Sequence, residues 1–328
     1  MKFIRLHTTD PYYNLAVEEY LFLHSDDDVF MLWQNDKTVV IGKNQNAYAE
    51  LDVDYAREQG IRIARRITGG GAVYHDMGNL NYTYISAKKE HSEIDFASFC
   101  APIIESLRSM GVEASLSGRN DLMVNEKKVS GNAQHSSGGR VLHHGTLLYD
   151  SDLSVLSTVL RADPEKLKAK AIRSVSSRVM NIREILPLDG GVDELAERIM
   201  QSLIEKNGGK IENAPVNDEI DALCARNSSD EWLFPERKYF SQYTLTKKRR
   251  YSFGSVEISL EMSGEKIESA HISGDFFGNN PISELEDLLV GAKRVEVPSH
   301  LENISVDGYI FGMTSDDLII LINDAFTA

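Results

Sequence analysis

The stretch RRITGGGAVYHDMGNLNYTY, Arg65–Tyr84, sets three consecutive glycines, Gly69 to Gly71, between the β-rich runs IRIARRI and LNYTYISA. Each glycine would cost a helix about 1 kcal/mol relative to alanine, so the triplet has no place in a regular element and needs another reason. One reason is chemical. A chain without side chains can approach a ligand closely and aim successive backbone N–H groups at an anion, with Arg65 and Arg66 supplying charge alongside. A glycine-rich hairpin turn carrying surface arginines fits the same spacing. The run is not GxxxxGK[ST], because no lysine follows the second glycine, and GxGxxG is also absent. Outward from this stretch, strands and helices mix without strict βαβ alternation. That pattern predicts an α+β fold, a mixed sheet flanked by helices, rather than a doubly wound parallel sheet.

Upstream, Asp10 is placed to cap a helix that begins at Pro11 and continues through YYNLAVEEYLFL. VFMLWQ and TVVIG, separated by the turn signal NDK, read as a hairpin. Downstream, DLMVN, KKVSGNAQ and VLHHGTLLYD read as strands, and DFASFCAPIIESLRSM and VDELAERIMQSLIEKNGG as helices. An aromatic, proline-bearing and basic connection ends in KKRR, Lys247 to Arg250, read as a solvated linker. A boundary near residue 248 divides the chain into an expected larger domain, 1–247, and a small α+β domain, 248–328, with a hairpin and two helices. Charge supports the division: residues 251–328 hold 14 acids and 3 bases, so they carry -11 of the net -15. No clustered basic surface for nucleic acid is expected. No apolar run approaches the roughly 18 residues of a membrane span, and the first residues show no export signal, so a cytoplasmic, non-membrane protein is expected. Cys100 and Cys224 lack the partners of a disulfide framework or a metal site, and each sits in a helical pattern as a small apolar residue.

Two further stretches carry polar groups that a core would not need. In SGRNDLMVNEKKVSGNAQ, Ser117–Gln134, a strand reverses through NEKK and returns with Ser130, Asn132 and Gln134 on one face, suited to lining a site. Lys127 and Lys128 must point to opposite faces, so one can be solvated while the other enters a pocket. In HHGTLLYD, His143–Asp150, the adjacent histidines also face opposite ways, which argues against a shared metal and leaves a hydrogen-bonded structural histidine as the simpler reading.

Taken in order, RRITGGGAVYHDMGN, GRNDL, KVSGNA and HHGTLL resemble the signature of the lipoate-protein ligases, and NLAVEEYL, ISGDFFG and ELEDLLVG extend the resemblance over essentially the whole chain. The resemblance implies a catalytic domain of the biotin and lipoate ligase type with an accessory domain after it. It implies ATP-dependent activation of lipoate to lipoyl-AMP, then transfer to a lysine of apo lipoyl domains of 2-oxoacid dehydrogenase E2 subunits or of the glycine cleavage H protein, by a monomer. Residue by residue, Lys128 matches the catalytic lysine. Arg66, Gly71, Ala72, Val73 and Tyr74 match the ATP-binding segment. Gly70, His75, Asn79, His144, Gly145 and Thr146 join Lys128 around lipoate, and Asn120 and Asp121 are candidates for Mg2+. The chain departs from the pattern at Ile67, where a basic residue can stand, and at Asn132, where a small one is common. The alternatives are a cysteine-dependent lipoyl or octanoyl transferase of the same fold, or a lipoate- or acceptor-binding protein without turnover. A biotin ligase is less favoured, because its GRGRxG loop is missing.

Overall fold

The computed structural model describes residues 1–86, 95–118, 120–161, 178–235 and 242–327. They form two compact units. The first comprises Met1–Val40, Tyr48–Arg65 and Val73–Leu233; the second comprises Ile41–Ala47, Arg66–Ala72 and Phe234–Ala328.

The first unit is built on an eight-stranded mixed sheet. Its strands are β1 (Lys2–Arg5), β2 (Val29–Trp33), β6 (Asn79–Ser86), β7 (Ser115–Ser117), β8 (Asp121–Val124), β9 (Lys127–Ser137), β10 (Arg140–Leu148) and β11 (Ile211–Glu212), in the order β11-β1-β2-β6-β10-β9-β8-β7. β1 runs parallel to β2 and β11, and the other pairs are antiparallel. Helices α1 (Pro11–His24), α2 (Phe96–Ser109), α3 (Gly191–Asn207) and α4 (Asp218–Asn227) flank it. Helices α2 and α3 bring Cys100, Ile103, Leu107, Leu195 and Ile199 onto Phe30, Leu80, Tyr82 and Leu147 of the sheet, forming one apolar core. The start of α1 follows the predicted rule, with the Asp10 carboxylate accepting from the Tyr12 N–H at 2.9 Å and Pro11 in the first turn.

The hairpin expected of VFMLWQ and TVVIG does not form. All five residues of β2 are buried, and it pairs with β1 and β6, whereas β3 (Thr38–Ile41) lies in a separate three-stranded sheet between β4 (Arg62–Arg65) and β5 (Val73–His75). A strand buried on both faces needs neighbours on both edges, and the long β6 supplies more pairing than the four residues of β3 could. The turn between β8 and β9 is the two-residue loop Asn125-Glu126, with φ of 48° and 61°, the left-handed pair that a tight hairpin uses.

The second unit holds the antiparallel sheet β12 (Leu245–Tyr251), β13 (Gly254–Ser263) and β14 (Lys266–Gly274), with α5 (Ile282–Leu289) and α6 (Ser315–Ala325). Its own core gathers Ile258, Ile272, Phe276, Leu285, Leu318 and Leu321. KKRR is a strand here, not a linker. Its four residues pair with β13, Arg249 bonds the Asp324 carboxylate, and Arg250 reaches Asp275 at 3.0 Å, so the basic run is set against acids of an acidic unit. Among the described residues, no helix is long and apolar enough to cross a membrane.

Gly78 shows how tightly the motif region is fixed. The Asp76 carboxylate accepts from the N–H groups of Gly78 and Asp152 at 2.9 and 2.7 Å, while the Gly78 carbonyl accepts from Tyr149 and Asp150. A Cβ at residue 78 would stand 2.0 Å from the carbonyl oxygen of Asp150, a backbone atom that no rotamer change can move aside. Gly78→Ala should therefore cost about 1–3 kcal/mol of stability through overpacking. A shift of the urea midpoint at constant slope checks this; a variant as stable as the parent would contradict the clasp.

Candidate functional site

The ammonium of Lys128 lies on the face of β9 that also presents Gly131. Its Nζ is 2.7 Å from Oδ1 of Asp121 on the neighbouring β8, and both side chains are about one-third exposed. A Cβ at residue 131 would meet Nζ at 2.9 Å and Cε at 3.2 Å, so the bare glycine gives the lysine its room there. The Gly131 N–H donates to Oγ1 of Thr146 across the sheet at 3.2 Å. The backbone of Lys128 is itself held, its N–H donating to Arg178 O at 2.7 Å and its carbonyl accepting from Met180 N at 3.0 Å. Lys127 is exposed, as the alternation requires.

Asn120 and Asn132 brace this corner. Asn120 Nδ2 donates to Asn132 O at 2.6 Å, and Asn132 Nδ2 returns a bond to Asn120 O at 3.0 Å. On the opposite face, Oδ1 of Asn132 accepts from the buried Tyr82 hydroxyl, and a Cβ at Gly145 would fall 2.1 Å from that oxygen. The departure from the family pattern at 132 thus has a partner, and Gly145 leaves room for it. Next to Thr146 across the strand is Asn81, which accepts from Asn79 Nδ2 at 2.8 Å. Both asparagines are buried, and among the described residues Asn79 Oδ1 and Asn81 Nδ2 have no hydrogen-bond partner.

A chain of buried polar groups crosses the same face. Trp33 Nε1 donates to Thr83 Oγ1 at 2.9 Å, Thr83 donates to Glu18 Oε1 at 2.6 Å, and Nδ1 of His144 lies 2.9 and 3.0 Å from the two oxygens of that carboxylate. At the other end the His75 ring meets Trp33 edge-on at 6.0 Å, and Nδ1 of His75 is 3.1 Å from Asn35 Nδ2. Glu18 is 1% exposed. Each oxygen of its carboxyl group has a hydrogen-bonding partner, the condition for burying an acid at tolerable cost.

His143 faces the other way. It is fully buried, stacked on Phe99 at 5.4 Å, with Nε2 3.7 Å from Cys100 Sγ. Burial, and then the neighbouring His144, hold its pKa down to about 3, so it is neutral at physiological pH. Burial likewise pushes the Cys100 thiol up to about 12, so it stays protonated; the half-buried Cys224 is also raised by burial. Val73, Tyr74 and His75 make up β5, where burial and the charges of Asp76, Asp152 and Asp36 raise the Tyr74 hydroxyl to about 12.

Arg66, Gly70, Gly71 and Ala72 belong to the second unit. Arg66 Nη2 donates to Gly69 O and Gly71 O at 2.7 and 2.8 Å, and Nε to Thr68 Oγ1 at 3.0 Å, so the guanidinium is folded into its own loop. Arg65, in the first unit, is tied differently. Its guanidinium donates to the carbonyls of Trp232 and Leu233, which makes it a structural bracket.

Of the residues singled out from the sequence, the first unit gathers Lys128, Asn120, Asp121, Asn79, Thr146, His144 and His75 on or beside one polar stretch of sheet. Sequence reading missed Glu18, Thr83 and Asn81. Two adjacent acids in an otherwise apolar helix, Glu18 and Glu19, were the available signal.

Residues 10–204 match the model of the lipoyl protein ligase A/B catalytic domain, and residues 241–322 match that of the bacterial lipoate protein ligase C-terminus. The chain is 36% identical over 320 residues to the lipoate-protein ligase LplJ of Bacillus subtilis, covering 95% of this chain and 97% of that one. It is 38% identical over 298 residues to lipoate–protein ligase 1 of Staphylococcus aureus, covering 89% and 90%. Among solved structures, P. falciparum LipL1 in complex with lipoate shares the fold, with a TM-score of 0.81 at 23% identity over 98% of this chain and 99% of that one. A lipoate-protein ligase A bound with ATP matches at TM-score 0.60 and 27% identity, over 71% of this chain and 98% of that one. With both family models matched in sequence order and relatives aligned nearly end to end, the chain belongs to the lipoate-protein ligase family, enzymes of the ligase class.

Proposed function

We propose that the chain activates lipoate with ATP as lipoyl-AMP and transfers the lipoyl group to a lysine of apo lipoyl domains, those of 2-oxoacid dehydrogenase E2 subunits or the glycine cleavage H protein. The observation that carries this reading is Lys128, an ammonium held beside Asp121 in a niche kept open by Gly131. In the first step a carboxylate oxygen attacks the α-phosphorus and pyrophosphate leaves. Two anions must approach, and a fixed cation between them is worth most at the moment of reaction. In the second step the acceptor amine attacks the acyl carbon, loses its proton, and AMP departs with the bonding pair. The same ammonium can then stabilise the charge on the leaving phosphate.

Arg66, Gly71, Ala72, Val73 and Tyr74 are proposed to take the nucleotide. Lys128, Gly70, His75, Asn79, His144, Gly145 and Thr146 are proposed to take lipoate. The buried Asn79 and Asn81, each with an amide atom that has no partner among the described residues, support a polar end for the lipoate site. Asp121 and Asn120 are proposed as the residues that would hold Mg2+, which would supply charge neutralisation, the remaining positions going to phosphate oxygens. Two solved relatives bear on the wider reading: one is a lipoate-protein ligase A bound with ATP, and one is a bipartite lipoate protein ligase and its E2 lipoyl domain from Thermoplasma acidophilum.

A cysteine-dependent transferase would need a thiolate, and the raised Cys100 thiol argues against one. The double variant Cys100→Ala, Cys224→Ala should keep lipoyl ligation near the parental rate; loss of transfer in a folded double variant would restore the transferase reading.

Lys128→Ala should lower lipoate-dependent pyrophosphate exchange by about 10²–10³-fold with the melting curve little changed, because the side chain is partly exposed and its pairing contributes little to stability. Near-parental exchange by a folded Lys128→Ala protein would remove the lysine from the mechanism.

A further inference from the structure

The three glycines are not equivalent. A Cβ at Gly69 would stand 2.3 Å from the carbonyl oxygen of Phe276 and 3.0 Å from Cα of Phe277. A Cβ at Gly70, which has φ of 90°, would meet Cζ of the Phe277 ring at 2.9 Å, and the Gly70 N–H donates to Phe276 O at 3.0 Å. Gly71 has nothing nearer than Asp275 Cβ at 4.0 Å. Two of the three bare positions are therefore filled by the chain itself, within the second unit, and the third is left open.

The segment that fills them is rigidly held. Gly274 N–H donates to Asn44 O at 2.8 Å, and the Asp275 carboxylate accepts from the Ser255 N–H and from Arg250. Phe311 N–H donates to Phe277 O at 2.8 Å, and Phe276 and Phe277 are 0% and 1% exposed. A loop of three glycines has more backbone freedom than any other sequence of its length, so its shape must come from what it rests on. Here it rests on Phe276 and Phe277. The same shape fixes Arg66, whose guanidinium is bonded to the carbonyls on either side of Gly70.

We infer that Phe277 is a positioning residue for nucleotide binding: its ring, set against Gly70, holds the Arg66–Ala72 loop in the shape that places Arg66 and leaves Gly71 open. The inference rests on the reading of this loop as the nucleotide segment. Loosening the seat lets the loop sample shapes that do not bind, which lowers apparent affinity for the nucleotide and leaves the chemistry of the competent fraction unchanged.

Steady-state lipoate-dependent pyrophosphate exchange by the full chain tests it, with KM for ATP, KM for lipoate and kcat measured separately. Phe277→Ala should raise KM for ATP by about tenfold while KM for lipoate and kcat at saturating ATP stay within about twofold. Phe277→Leu, which keeps most of the volume, should recover much of the loss, and it puts the same question if the alanine variant does not fold. A purely structural role would instead lower kcat with both KM values unchanged, and that result, or an unaltered KM for ATP, overturns the inference. Arg66→Ala separates the two levels. If it too leaves KM for ATP unchanged, the nucleotide reading of the loop fails; if it alone raises KM, only the role of Phe277 fails.

Discussion

The bare Cα of Gly131 lets an ammonium and a carboxylate lie together on an otherwise closed stretch of sheet. With a side chain at 131, the Lys128 amine would meet a carbon at 2.9 Å and would have to shift from its place beside Asp121. The rest of the first unit can be read as what this arrangement requires. β8 and β9 must be joined by a tight turn to bring residues 121 and 131 opposite each other, and Asn125-Glu126 makes that turn. β10 must lie alongside to place Thr146 on the Gly131 N–H, and the paired amides of Asn120 and Asn132 fix the corner.

Around the lysine, the sheet face is costly to build. Glu18, Thr83, Asn79, Asn81 and His144 are buried polar groups where an ordinary core would have aliphatic ones. Most are satisfied by one another through the path from Trp33 to His144, and a hydrogen bond to a charged group is worth roughly 1.5–3 kcal/mol against about 1 for a neutral one. Among the described residues Asn79 Oδ1 and Asn81 Nδ2 have no hydrogen-bond partner and are the exceptions, and a buried group of that kind calls for an explanation such as a bound water or ligand. The opposite face of the same strands packs on the apolar core, where Asn132 is paired with the Tyr82 hydroxyl. There His143 is neutral and stacked among aromatic rings, against the protonated thiol of Cys100 on α2, so the adjacent histidines of one motif serve different ends.

How much of this was legible in the sequence depended on range. Elements set by local chemistry were legible: the Asp10-Pro11 helix start, the strands either side of Asn125, and the alternation that sends Lys127 outward and Lys128 inward. Pairing was less so. Nothing in VFMLWQ or TVVIG distinguishes strands that pair with each other from strands that join different sheets, because partner choice is decided by burial on both faces. KKRR looked like a linker because the acids that accompany it, Asp275 and Asp324, lie far along the chain. The bond between Glu18 and His144 spans 126 positions and leaves no local trace. The glycine run was readable as special, but its first two members owe that to Phe276 and Phe277, which no window around residue 70 contains.

The proposed reaction joins lipoate to a protein lysine by way of an adenylate, with no covalent enzyme intermediate. The most direct measurement is lipoate-dependent exchange of pyrophosphate into ATP by the purified chain with magnesium, followed by the mass of an apo lipoyl domain added to the same mixture. Exchange that requires lipoate is expected, with an acceptor heavier by one lipoyl group on a single lysine. No exchange, together with transfer from an already acylated donor protein, would contradict it and make the chain a transferase built on a ligase scaffold.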